Sequence, residues 1–252
     1  MELLRVLCAS GPVLVSDDAS PCTADPVLAQ VAELLNIQVI RNPRNRGIAR
    51  ALNQGLDAAR AGGYRWLLTV DQDSSLDELY AEEMVAYAES LVLTGVPLGA
   101  IGAGNVLDAS GAMTYPTRTV MHSGLEITVT EEVVQSGTVW SVEALTAIGG
   151  FDGSLGMDAI DAAACLGLRS RGFIVAINPS VTLHHQIQGA QQIRLLGRNV
   201  MVTGHSPKRR SAIVKNRLRL FPREFAQSPT HAFRTLRRSA VNVLALPLRR
   251  NT

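Results

Sequence analysis

The stretch RWLLTVDQDSS, residues 65–75, constrains this chain more than any other. Leu67, Leu68 and Val70 form an apolar run without alternation, which reads as a fully buried strand of a parallel sheet. The run stops on two acids, Asp71 and Asp73. In open α/β sheets ligands bind beyond the carboxyl ends of such strands. On an extended chain residues i and i+2 point to the same side. Two carboxylates so placed suit a hard cation such as Mg2+, which shares carboxylates with substrate phosphates. A solvated loop at a strand end would carry the same residues, so the rest of the chain has to choose.

That rest supplies layers for a sheet. VLVS at 13–16 reads as a short strand ending at Asp17 and Asp18, followed by a helix over 27–35 and a strand over 37–40. Residues 47–61 place Ile48, Leu52, Leu56 and Ala59 on one helical face. A helix over 78–93 follows the DQD strand, and a Gly-rich stretch at 99–112 marks strands and turns. VVQSGTVWS at 133–141 reads as a strand, with a short helix and a Gly149–Gly150 turn after it. A helix over 158–171 leads into the strand FIVAI, 173–177. Alternating strands and helices predict an α/β fold with a mostly parallel central sheet flanked by helices. With 252 residues and 46% hydrophobic content, a packed core is within reach.

Cys8, Cys22 and Cys165 are odd in number and form no CxxC pair, so neither a disulfide framework nor a structural zinc site is indicated. With no signal-peptide pattern and no bilayer-length apolar run, the reading is a cytoplasmic chain. The net charge of +2 hides an asymmetry: residues 205–252 hold 12 Lys and Arg against one acid, Glu224. The division expected is a body over 1–204 and a basic helical extension over 205–252. The acidic body would repel nucleic acid, and the extension has few aromatic platforms, so an anionic membrane surface is the better partner. Over 230–246, Phe233, Leu236, Ala240, Val241 and Leu244 share one face, with Arg234, Arg237 and Arg238 largely off it. Such a helix either packs that face on the body or lies in the headgroup region at the inner side of the cell membrane.

The order VLVSDDAS, NPRNRGIARALNQGL, LLTVDQDS, SGTVWSVEALTAIGGFD, MDAID, LHHQI and SPKRRSAIVKNRLRL resembles glycosyltransferase family 2, closest to its bacterial rhamnosyltransferase branch. The resemblance runs from about residue 13 to 225. It implies the GT-A nucleotide-sugar fold and an inverting transfer of a deoxysugar, rhamnose from dTDP-rhamnose, onto a glycan or lipid-linked acceptor. It also implies a Mg2+ or Mn2+ cofactor. Asp73 would contact the cation, and Asp71 would bind the nucleotide sugar or orient the ligand set. One of Asp17 and Asp18 would reach the base or ribose, although DDASP is also good turn chemistry. Asn45 and Asn53 match the family's asparagine pattern; Asn45 could equally cap the helix after it, whose N-terminus would attract a diphosphate.

The resemblance places the general base at Asp161, beside Asp158, which could be a helix N-cap. His184 and His185 face opposite ways in a strand, and His185 fits the family's histidine near the metal better. The chain departs from the pattern at Ala163, usually an acid, and at Gly167, usually an arginine. Those departures leave a non-catalytic, nucleotide- or partner-binding member as the alternative. The family also begins with a strand ahead of residue 13 for which MELLRVLCASGP leaves no room, so that strand is expected to be missing. Phosphatases of the haloacid dehalogenase class share an apolar strand ending in DxD. They need a lysine with an acidic metal motif after it, and Lys208 and Lys215, the only lysines, have none.

Overall fold

The computed structural model describes residues 2–35, 37–108, 111–113, 115–156, 158–185, 191–195, 198–202 and 206–244. The first half runs α1 (Glu2–Ser10), β1 (Leu14–Asp17), a 3-10 turn (Cys22–Ala24), α2 (Asp25–Leu35), β2 (Gln38–Arg41), α3 (Ile48–Ala61), β3 (Trp66–Thr69), β4 (Ser74–Ser75) and α4 (Tyr80–Leu93). Then come β5 (Leu98–Asp108), β6 (Gly111–Met113), β7 (Thr117–His122), β8 (Leu125–Thr130), β9 (Thr138–Ser141) and α5 (Val142–Ile148). A 3-10 turn (Gly153–Leu155) leads to α6 (Ile160–Ser170) and β10 (Ile174–His185). A hairpin of β11 (Gln191–Leu195) and β12 (Arg198–Val202) precedes α7 (Pro207–Gln227) and α8 (Pro229–Leu244).

The main sheet has the order β3-β9-β5-β10-β8-β7. At its centre β5 and β10 run parallel, with Ala100, Ile101, Ala103 and Val106 packed beside Val175, Ala176 and Ile177 at 2% exposure or less. A small residue lets the two strands approach where β10 is irregular: a Cβ on Gly104 would stand 2.7 Å from Pro179 Cα. The sheet is mixed, because β9 pairs antiparallel with both β3 and β5.

The expectation for 65–75 needs correcting here. β3 is an antiparallel edge strand, and Trp66, Leu67 and Leu68 are only half-buried. Its unbroken apolar run has another cause, since both faces are covered. Leu67 packs with Leu52 and Leu56 of α3, while Trp66 and Leu68 join Leu3, Val6 and Leu7 of α1 and Met84 of α4. β1 and β2 form a separate parallel pair, and among the described residues neither β1 nor β3 has a strand on its other side. The strand expected over 133–141 is confined to β9; residues 133–137 are irregular, and they turn out to floor the site.

α7 is sewn to the body. Leu220 lies in the core, and Asn216 Nδ2 donates to the carbonyls of Leu155 (2.6 Å) and Asp158 (2.9 Å). α8 turns back on α7 with His231, Ala232, Thr235 and Ser239 buried, so its polar side faces inward while Phe233 and Ala240 are exposed. Packing by the apolar side is thus overturned for Phe233 and Ala240; the side chains of Val241 and Leu244 lie outside the described residues. Among the described residues no helix is long and apolar enough to cross a membrane.

Candidate active site

Asp71 to Ser74 form a turn, closed by the Ser74 amide donating to the Asp71 carbonyl at 3.1 Å. This turn, rather than an extended i, i+2 spacing, brings the two carboxylates together. Ser74 then enters β4, whose antiparallel pairing sets it opposite His185 at the end of β10. His185 Nδ1 stands 2.8 Å from Ser74 Oγ and 3.7 Å from Asp73 Oδ1. One ligand atom each from Asp71, Asp73 and His185 lie within 4.8 Å of one another. His184 points to solvent.

The irregular stretch before β9 supports this cluster. Gln135 Nε2 donates to Asp71 Oδ1. The Asp71 amide donates to Ser136 Oγ at 2.9 Å, and Ser136 Oγ lies 2.6 Å from Ser74 Oγ. Gly137 anchors the stretch: its amide donates to the Thr69 carbonyl (2.7 Å) and its carbonyl accepts from Tyr80 Oη (2.6 Å). At φ +71° it must be glycine, since a Cβ there would stand 2.5 Å from Tyr80 Oη.

Burial, joined by the charge of Asp73, raises the Asp71 pKa against the opposing pull of His185, Gln135 and Arg209. Two partly desolvated carboxylates therefore strain against each other, and a divalent cation would relieve that. Two carboxylates and an imidazole suit Mg2+ or Mn2+, with the nitrogen favouring the latter.

Asp161 sits in the first turn of α6, half-buried, with Oδ1 accepting from the Ala162 amide at 2.8 Å. Burial and the nearby charge of Glu132 push its pKa up to about 6, with Arg217 opposing. Burial alone would raise Glu132 as well. Two hydrogen bonds from Arg217, 2.7 and 3.2 Å long, and the neighbouring His231 instead hold it well below the usual carboxylate range. Asp158 is not the N-cap of α6. That position is Ala159 at φ +64°, and Asp158 Oδ1 instead accepts from Arg209 Nε of α7 at 3.2 Å.

The second acid pair is arranged differently. Asp18 accepts from the amides of Arg46 (2.8 Å) and Gly47 (2.7 Å), the two residues before α3, and so pins its entry loop; the N-cap is Gly47 and no side chain caps the helix, against the expectation for Asn45. Asn45 is exposed in the loop before Gly47. Asp17 meets Arg41 Nε at 3.4 Å and the Ser20 amide at 3.2 Å. Asn53 clasps Phe151, donating to its carbonyl and accepting from its amide, both at 2.9 Å.

Sequence reasoning missed Gln135, Ser136 and Ser74, although QSG and the serine after DQD lay within the quoted motifs. It also missed Arg209, Arg217 and Glu132, because the two arginines read only as part of a basic run. Asn42 was missed too: buried, it donates to Asp18 at 3.3 Å and accepts from Gln54 at 3.0 Å.

Residues 12–108 match the model of glycosyl transferase family 2. The dTDP-rhamnosyl transferase RfbF of Shigella flexneri is 29% identical over 215 residues, covering 81% of this chain and 68% of that protein. Among solved structures, GalNAc-T7 with UDP, GalNAc and Mn2+ superposes with a TM-score of 0.58 at 16% identity over 84% of this chain, which spans only 41% of that one. S. aureus TarS 1–349 gives 0.55 at 15% identity, over 92% of this chain and 69% of that one. These likenesses show the fold, GT-A. Motif order, fold and relatives agree: residues 12–108 match glycosyl transferase family 2, and the chain over most of its length is similar to a dTDP-rhamnosyl transferase.

Proposed function

We propose that the chain transfers a deoxysugar, rhamnose from dTDP-rhamnose, with inversion onto a hydroxyl of a glycan or lipid-linked acceptor. The observation that carries this reading is the convergence of Asp71, Asp73 and His185 at the carboxyl end of β3. The donor rests on the name of the 29% identical relative, and the cation is in keeping with the Mn2+ and UDP named for one fold neighbour.

Asp73 and His185 would hold Mg2+ or Mn2+, with Asp71 orienting the nucleotide sugar. A cation bound there would supply charge to offset that developing on the departing diphosphate. Gln135 and Ser136 fix Asp71 for that task. Asp161, with a pKa of about 6, is mostly ionised at neutral pH yet basic enough to take the proton from the attacking acceptor hydroxyl. Asp18 is committed to the loop before α3, which leaves Asp17, held among the described residues only by Arg41 at 3.4 Å and the Ser20 amide at 3.2 Å, as the acid that would reach the nucleotide. Asn45 is left exposed on the same loop, and Asn53 braces the segment before Asp158.

One observation favours a second reading, nucleotide binding without transfer. Ala163 is buried, and a Cβ on Gly167 would come 3.2 Å from Ile148, so the family's acid and arginine at these positions have given way to close helix packing. Calorimetry with dTDP in the presence and absence of Mn2+, followed by a turnover assay with dTDP-rhamnose, separates the two. Metal-dependent binding with turnover is expected. Binding without turnover would favour the second reading, metal-independent binding would sink the cation assignment, and absent binding would sink both readings.

A further inference from the structure

The outer face of the α7–α8 hairpin exposes large apolar side chains amid cationic ones. Phe221, Phe225 and Phe233 pack edge to face or tilted, with centroids 5.5 to 5.8 Å apart, yet Phe225 is 44% and Phe233 59% exposed. Along α7 the stripe continues through Lys215, Leu218 (52% exposed) and Pro222, at helical spacing from Phe225. Along α8 it continues through Arg237 and Ala240. Arg219 and Arg223 flank it, also exposed.

Two features say what covers this face. First, α8 is inverted: its buried side is His231, Thr235 and Ser239, and its aromatic side is left outside. The inversion is held by Glu224, which accepts from Arg217 at 3.3 Å and from Thr235 at 3.2 Å. Second, Glu224 is the sole acid of residues 205–252, and at 2% exposure it presents no negative charge. The charged side chains that this hairpin shows to solvent are thus cationic. Aromatic rings beside arginine and lysine, with no exposed acid on the hairpin itself and only Asp152 of the body near Arg219 and Arg223, match the boundary between headgroups and acyl chains of an anionic leaflet. A protein partner of mixed charge would meet repulsion with no compensating acid on the hairpin.

We infer that Phe225, Phe233 and Leu218, rimmed by Lys215, Arg219, Arg223 and Arg237, form a surface that docks the protein on an anionic lipid bilayer. α7 links this surface to the site, because Arg209 in its first turn meets Asp158 while Phe225 lies about 24 Å further along the axis. A docked chain would keep its catalytic mouth within that distance of the docking surface, in reach of a lipid-linked glycan. The inference deepens the lipid-linked reading of the acceptor but needs neither donor nor catalysis. A failure of the vesicle assay below therefore leaves the dTDP experiment standing, and the reverse holds too.

The test is co-sedimentation of the full chain with phosphatidylcholine vesicles, with and without phosphatidylglycerol. Binding to the anionic vesicles alone is expected, weakening several-fold between low and high salt as screening sets in. F225A/F233A should lower the bound fraction several-fold, and R223Q/R237Q should remove most of its salt dependence. Arg223 and Arg237 are exposed, so R223Q/R237Q should melt as wild type does, while F225A/F233A, which loses ring contacts with Phe221, should melt slightly lower but in one cooperative step. Absent binding, equal binding to neutral vesicles, or binding unchanged in both variants would overturn the inference. Self-association in solution that F225A/F233A abolishes would overturn it too, by making a second copy the occupant of the face.

Discussion

Two strands of this chain end in a pair of acids, β1 in Asp17 and Asp18 and β3 in Asp71 and Asp73, and the fold treats the pairs in opposite ways. Around the first pair the chain brings its own counter-charges: Arg41 beside Asp17, and the amides just before α3 on Asp18. Around the second it brings a histidine, a glutamine and hydroxyls, and places one carboxylate against the other. Asp161 belongs with the second kind, since burial and Glu132 push its pKa up while Arg217 is already held by Glu132 and Glu224. An acid bonded through both oxygens, as Asp18 is, acts as structure. Acids left uncompensated wait for something that is not part of the chain.

The largest effect that would sharpen this contrast is expected at Asp161. D161N should lower kcat by about 10²–10⁴-fold with dTDP affinity kept, because only proton abstraction is lost. It should also stabilise the protein. The folded pKa of about 6 lies above the ordinary 3.8, so the folded state binds more protons between those values, and stability falls as pH rises through that window. Above it the full cost remains, on the order of 1–3 kcal/mol, and Asn removes it. Thermal melts at pH 7.5 should favour the variant, and the advantage should vanish near pH 3.5. In wild type the acid limb of kcat/KM should fall near pH 6. A variant that melts lower at pH 7.5 would place Asp161 among the compensated acids instead.

Next comes the acid pair proposed to hold the cation. D73N should weaken Mn2+-dependent dTDP binding by about 100-fold, the scale of removing support from a metal site. Its melting temperature without metal should hold or rise, because repulsion with Asp71 is relieved. Calorimetry beside melting curves checks both. Unchanged affinity would break the contrast at its strongest point.

How much of this was legible in the sequence follows the same division. The DQD turn, His185 and Asp161 could be read because each sits at an element end within a short, ordered motif. The α/β class could be read from alternating apolar runs. The direction and position of β3 could not: an apolar run reports that both faces are covered, and here α1, α3 and α4 cover them whichever way the neighbouring strand runs. The supports of Asp71 come from residue 135 onward, 64 positions away, and only folding brings Gln135 to it. α8 misleads for a related reason. Its period marks two faces, but Glu224 gives Thr235 a buried partner across the hairpin, so the polar face can be the inner one.

The smallest effect tests the compensated pair. Asp18 links β1 to the start of α3 through two charge-assisted bonds to backbone amides, where the helix dipole adds to the attraction. Gly47, at φ +86° and 3.1 Å by its notional Cβ from the Gly156 carbonyl, has no side chain to cap the helix itself. D18A should therefore cost about 1 kcal/mol of stability, the net scale of a lost hydrogen bond, seen as a lower urea midpoint with an unchanged slope. D18N, which keeps an acceptor for one amide, should lose less. Because the Asp18 carboxylate is already spent on the chain, Mn2+-dependent dTDP affinity in the folded variant should stay within a few-fold of wild type. If D18A keeps its urea midpoint yet loses more than about tenfold in affinity, 1.4 kcal/mol by the usual conversion, then Asp18 faces the nucleotide. The two acid pairs would then be two halves of one binding site.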